Sequence, residues 1–212
     1  MKPYYQDDAV TLYNGDCREI LPQLGRFDLL LTDPPYGYGW KTNYSRFSSK
    51  KRGKGGACDK REIANDSHPV DIEPIIGICG EAVIFGCNAT GHLRPGSYLI
   101  WDKRCEDGFS FLSDAEVAWW SEGHGAYIFS LNAQKHRTKV GLHPTQKPVA
   151  LMAWCITKAK ATGTILDPFA GSGTTGVAAK LEGRRATLIE LDERYCEIAA
   201  KRLEQKVFEF GD

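Results

Sequence analysis

Apolar and polar positions fall in short blocks along the chain, and their spacing predicts an order of strands and helices. Val10-Thr11-Leu12-Tyr13 alternates as a strand does and runs into the turn Asn14-Gly15-Asp16. Between Cys17 and Leu24 the residues Ile20, Leu21 and Leu24 lie at helical spacing. Asp16 stands at the N-cap place with Glu19 three residues on, a capping box with Asp in place of Ser or Thr. Residues 27–32 read as a buried strand that stops at Asp33-Pro34-Pro35-Tyr36, where proline cannot donate to a ladder. Two strands joined by so short a helix imply parallel neighbours with a right-handed crossover.

Further along, the pattern predicts a helix near 70–80 and a strand at 82–85. A strand pair follows at 98–101 and 115–120, then a short edge strand at 127–129 and a basic, polar connector at 136–141. The last third alternates cleanly: a helix from about Pro148, a strand at 164–167, a helix at 174–181 ended by Gly183, a strand at 186–190 and a final helix from near Asp192. This order implies an α/β fold, Rossmann-like and doubly wound, with a mostly parallel sheet covered on both faces and one antiparallel strand pair.

Length and charge narrow the picture. The 212 residues suit one domain, 1–212, with no linker or repeat. Lys plus Arg and Asp plus Glu both number 27, so a general polyanion binder is disfavoured while a local basic patch is not. Such a patch lies in the Gly-rich stretch 37–69, which carries Lys41, Arg46, Lys50, Lys51, Arg52, Lys54, Lys60 and Arg61, with Trp40, Tyr44 and Phe47 among them. Basic and aromatic residues together suit a phosphate backbone and unstacked bases; a solvated mobile loop is the other reading. No apolar run approaches a membrane span, and the N-terminus lacks a signal peptide's apolar stretch. Seven scattered cysteines with no C-x-x-C pair point to reduced thiols in a cytoplasm rather than to zinc or disulfides, and no metal is expected.

Two stretches carry chemistry. Asp33-Pro34-Pro35-Tyr36 offers a carboxylate, backbone carbonyls and an aromatic face at the carboxyl end of a strand, where open α/β sheets bind ligands. That set suits a planar base held by its exocyclic amino group; an ordinary Pro-Pro turn is the alternative. The second stretch, 167–175, follows a strand and opens a helix around Gly171-Ser172-Gly173, so its backbone can approach a ligand closely. Gly176 completes a G-x-G-x-x-G spacing, and no Gly-Lys-Ser/Thr follows, so a dinucleotide fits and a P-loop does not. Glu190 ends the next strand, 190 − 167 = 23 residues on, in the range of an acid that grips ribose hydroxyls.

Asp-Pro-Pro-Tyr at 33–36, His-Pro-Thr-Gln-Lys-Pro at 143–148 and Asp-Pro-Phe-Ala-Gly-Ser-Gly-Thr-Thr at 167–175 stand in that order. Together they resemble the β-class, circularly permuted S-adenosylmethionine-dependent DNA amino-methyltransferases, in which the catalytic motif precedes the cofactor motif. The resemblance covers 10–36 and 143–205 closely and 82–121 more loosely. It implies S-adenosylmethionine rather than NAD, with S-adenosylhomocysteine as product. Asp167 would shape the turn, and Phe169, Gly171, Ser172, Gly173 and Thr174 would cradle the methionine part. Glu190 would hold the ribose, and Asp16, with Cys17 after it, would meet the adenine, although Asp16 also serves as a helix cap. Thr145 and Lys147 would contact the methionine carboxylate, with His143 left structural.

The resemblance further implies double-stranded DNA as partner, through Lys41, Arg46, Lys50, Lys51 and Arg52, and a target base flipped onto Tyr36. Asp33 and the Pro34 carbonyl would draw the amino nitrogen toward a tetrahedral form that attacks the sulfonium methyl in line, with Pro35 completing the motif. Asp at the first motif position leans toward the N6 of adenine, where Ser leans toward the N4 of cytosine. Only about twenty residues, 122–142, occupy the place of the family's target-recognition region. A homodimer and a companion restriction nuclease are compatible with the resemblance. The rival readings are methylation of RNA or of a protein amide, and a silent cofactor-binding subunit.

Overall fold

The computed structural model describes residues 1–37, 70–90, 94–104, 113–132 and 146–205. Leu29, Leu30 and Leu31 are all fully buried, yet they face opposite ways, as the two-residue period of a strand requires. Leu29 and Leu31 join one core, and Leu30 joins another. That strand, β3 (Phe27–Thr32), sits inside a sheet with nine strands among the described residues and with apolar packing on both faces.

The other strands are β1 (Tyr5–Gln6), β2 (Val10–Asn14), β4 (Cys79–Phe85), β5 (Ser97–Asp102), β6 (Ala115–Trp120), β7 (Ala126–Ser130), β8 (Ile165–Asp167) and β9 (Ala186–Glu190). Their order is β1-β2-β9-β8-β3-β4-β6-β5-β7. From β2 to β4 every pairing is parallel. β1 is antiparallel to β2, and β6 runs antiparallel to both β4 and β5. β7 then closes the edge parallel to β5.

One face packs on α4 (Val149–Lys158), α5 (Thr174–Leu181) and α6 (Glu193–Glu204), through Leu151, Met152, Cys155, Ala178, Ala199 and Leu203. The other is covered by α1 (Cys17–Ile20) and α2 (Glu73–Ile76), through Ile20 and Ile75. A short α3 (Cys87–Thr90) follows β4. The α/β class, the mostly parallel sheet and the antiparallel pair β5–β6 are therefore as expected, while β1 on β2 and β6 on β4 add antiparallel pairings that were not.

Three local expectations change. β2 and β3 are parallel but not neighbours, because β9 and β8 lie between them; the late strands enter the middle of the sheet. The helix expected through Leu24 is α only as far as Ile20 and continues as a 3-10 turn, Leu21–Gln23. Pro22 supplies no N–H to continue the helix ladder. The helix expected near 70–80 shrinks to one turn, since pairing of Cys79 with Phe27 claims the following residues for β4. Among the described residues no helix is long and apolar enough to cross a membrane.

Candidate active site

Parallel strands share a direction, so the residues that follow β2, β9, β8 and β3 emerge at one edge of the sheet. Register sets Asn14 beside Glu190 and Leu30 beside Leu166. Asp16, Glu190, Asp167 and Asp33, far apart in sequence, thus arrive on four adjoining strands.

Asp33 leaves β3 with its side chain 20% exposed. The Tyr36 hydroxyl donates to its Oδ1 and the Lys147 ammonium to its Oδ2. Burial, then the adjacent Asp33 charge, pushes the Tyr36 phenol far above its ordinary range, so it remains a donor. The ring reaches this position across Gly86, just after β4, where φ is +71° and a Cβ would overlap the ring. Pro34 is buried and Pro35 half-buried.

Lys147 is buried, and its ammonium also lies 3.2 Å from Glu116 Oε2 and 5.3 Å from the centre of the Phe85 ring. Burial would lower the pKa of such an ammonium, but the Asp33 and Glu116 carboxylates outweigh it and raise it. Glu116, in β6, is reached from its other side by Lys103 at 3.0 Å. Burial works against its charge too, yet Lys147 and Lys103 hold it below the usual carboxylate range. Acid and base therefore alternate along a line: Asp33, Lys147, Glu116, Lys103. Lys147, expected at the methionine carboxylate, pairs in this structure with Asp33 and Glu116.

At the glycine turn, Asp167 is buried and accepts from Thr175 Oγ1 at 2.5 Å, Thr32 Oγ1 at 2.8 Å and the Phe169 N–H at 3.1 Å. Burial dominates and lifts its pKa to about 6. The bond from Thr32 ties the end of β3 to the end of β8. Gly173 takes φ +77°, and a Cβ there would lie 2.8 Å from Ala199 Cβ, so α5 can start only with glycine so close to α6. Arg202 of α6 reaches the same turn, donating to the Ser172 carbonyl at 2.6 Å, to Ser172 Oγ at 2.8 Å and to Thr174 Oγ1 at 3.2 Å. Phe169 and Gly171 are half-buried.

Glu190 closes the set. Its two oxygens accept from the Gly171 N–H at 2.7 Å and the Asp192 N–H at 2.8 Å, while burial raises its pKa against those bonds. Asp16 caps α1, accepting from the Arg18 N–H at 2.9 Å, and pairs with the Arg18 guanidinium. Cys17 is buried, and burial lifts its thiol to about 11, so it packs rather than reacts. Thr145, Lys41, Arg46, Lys50, Lys51 and Arg52 lie outside the described residues. Among the described residues no cluster of His, Cys, Asp or Glu is placed to hold a metal ion. Reading by sequence missed Gly86, Arg202, Lys103 and Glu116. Only Glu116 had a signal, as the one acid within the strand Ala115–Trp120.

The family model described as DNA methylase, of the N6/N4 type, matches residues 98–201. Type II methyltransferase M.HinfI of Haemophilus influenzae is 31% identical, with 97% of this chain and 71% of that protein covered. That alignment runs over 262 positions, so at least 262 − 212 = 50 positions have no counterpart here. M2.DpnII of Streptococcus pneumoniae is 54% identical over 65 residues, 30% of this chain and 24% of its own length. Among solved structures, the M1.HpyAVI–SAM complex superposes with a TM-score of 0.56 at 24% identity, covering 92% of this chain and all of that one. The cytosine-N4-specific PvuII DNA methyltransferase reaches 0.62 at 15% identity, covering 98% and 91%. These two likenesses bear on the fold. The match to M.HinfI over 97% of this chain, with the family model, decides the family: the chain belongs to the N6/N4 DNA methylases, the DNA amino-methyltransferases.

Proposed function

We propose that the protein methylates the exocyclic N6 of a flipped-out adenine in double-stranded DNA, with S-adenosylmethionine as donor. The observation that carries this reading is the placement of Asp33 at the strand edge it shares with the glycine turn and Glu190. The residues fit the cofactor: a half-buried aromatic face at Phe169, backbone with positive φ at Gly171 and Gly173, and the half-buried carboxylate Glu190 at the end of the neighbouring strand. When bound, the cofactor supplies an electrophilic methyl group on a positively charged sulfur. Glu190 would take the ribose hydroxyls, Asp16 the adenine edge and Thr145 the methionine carboxylate.

The remaining work belongs to the chain. An exocyclic amino group is a poor nucleophile, because its lone pair is delocalised into the ring. Asp33 and the Pro34 carbonyl accept its two N–H bonds and draw the nitrogen toward a tetrahedral form. Fixed acceptors and a half-buried site make this catalysis by positioning and electrostatics. Tyr36 offers the flipped base an aromatic neighbour.

We read the chain as one β-class, permuted domain, since its Asp-Pro-Pro-Tyr loop precedes its glycine turn. The identity of residue 33 favours adenine over cytosine; N4-cytosine transfer is the second reading, supported by the fold shared with the PvuII enzyme. The unmatched alignment positions are consistent with a reduced target-recognition region, and β7 draws five residues of 122–142 into the sheet. The basic stretch 37–69 is then the natural DNA contact. Asp33→Ala should bind the cofactor as the parent does and lose at least about a hundredfold in transfer. An unchanged transfer rate in that variant would contradict the role given to Asp33.

A further inference from the structure

In the structure both oxygens of Asp33 are already engaged, Oδ1 by the Tyr36 hydroxyl and Oδ2 by the Lys147 ammonium. A substrate amino group needs one of them. An ammonium held on Asp33 also neutralises the charge that should draw on the amino hydrogens. Lys147 is buried and cannot retreat to water, since a lone ammonium in the interior is heavily penalised. Among the described residues one other carboxylate lies within its reach, Glu116 Oε2 at 3.2 Å.

We propose that Glu116 is a positioning residue that receives the Lys147 ammonium when the target amino group takes Asp33. Lys147 thus acts as a movable cap on the catalytic carboxylate, and Lys103, 3.0 Å from Glu116 Oε1, competes with it for Glu116. The transfer needs only a small swing of one flexible side chain between two acceptors it already touches. No charge enters or leaves the buried region. The inference rests on the methyl-transfer reading above and deepens it, because it says what frees Asp33.

The chain of charges makes opposite predictions for its members. Glu116→Gln leaves Lys147 with Asp33 as its one carboxylate among the described residues, so kcat should fall at least about tenfold, with KM for DNA and affinity for S-adenosylhomocysteine within about twofold. Glu116→Asp should recover most of that loss. Lys103→Met frees Glu116 to draw Lys147 harder, so kcat should rise above the parent value. A purely structural ion network would instead lose rate and thermal stability in both Gln and Met variants. Full kcat in Glu116→Gln, or a reduced kcat in Lys103→Met, would overturn the inference while the parent still methylates DNA. A parent protein that transfers no methyl group to DNA would overturn the underlying reading, and this inference with it.

Discussion

The two ends of the sheet treat their acids differently. At the amino end Glu81, in β4, is buried and accepts from the Trp120 indole at 2.5 Å and from the N–H groups of Lys160 at 3.0 Å and Ala161 at 2.6 Å. Asp28, in the neighbouring strand β3, accepts from the Thr164 N–H at 2.6 Å and hydroxyl at 2.9 Å. Most of these donors are backbone or ring N–H groups that cannot move unless a strand or loop moves. At the carboxyl end Asp33 is held by a phenol and an ammonium, each at the tip of a side chain. An acid held by fixed neutral donors fastens a fold; one held by movable groups can exchange partners. On the proposed reading, carboxylates therefore serve structure at one end and chemistry at the other.

The largest effect should come from breaking the fastening end. Glu81→Ala strands three buried or half-buried donors and should cost about 3 kcal/mol in denaturant unfolding, while activity per folded molecule persists. If it instead abolished transfer in fully folded protein, the division between the two ends would fail.

Asp167 sharpens the comparison, since it lies at the carboxyl end but is held by neutral donors, the Thr175 and Thr32 hydroxyls and the Phe169 N–H. Its folded pKa of about 6 exceeds the unfolded value near 3.9, so the native state binds the proton more tightly. Its stabilising contribution is complete below about pH 4 and lost as pH rises through 6. The stability difference between parent and Asp167→Asn should therefore shift against the parent by roughly 2–3 kcal/mol between pH 4 and pH 6.5. A flat difference across that window would contradict the assignment.

Asp16 gives the smallest effect and separates two roles. Asp16→Ala should cost about 1 kcal/mol by removing the α1 cap, and Asp16→Ser should restore it. If Asp16 also meets the cofactor, the Ser variant recovers stability but not cofactor affinity. Full recovery of both would leave the residue as a cap alone.

What was legible in the sequence follows the range of the forces involved. β3, β6, β9 and α5 begin and end where periodicity and turn residues place them, because burial period and capping are local. The Asp33 loop and the glycine turn were legible for the same reason: each is a contiguous stretch at a strand end. Neighbour order was not, because β8 and β9 enter between β2 and β3 from more than a hundred residues away. Nor was the fate of Lys147, which depends on Glu116 arriving on an antiparallel strand. Gly86 reads as an ordinary strand end until the Tyr36 ring is seen against it.

The most direct test of the central claim is transfer of labelled methyl groups from S-adenosylmethionine to unmethylated bacterial DNA, followed by nucleoside analysis. The account predicts label in N6-methyldeoxyadenosine, and N4-methyldeoxycytidine in its place would correct the base while keeping the site. Protein that binds the cofactor yet leaves the DNA unlabelled would contradict it.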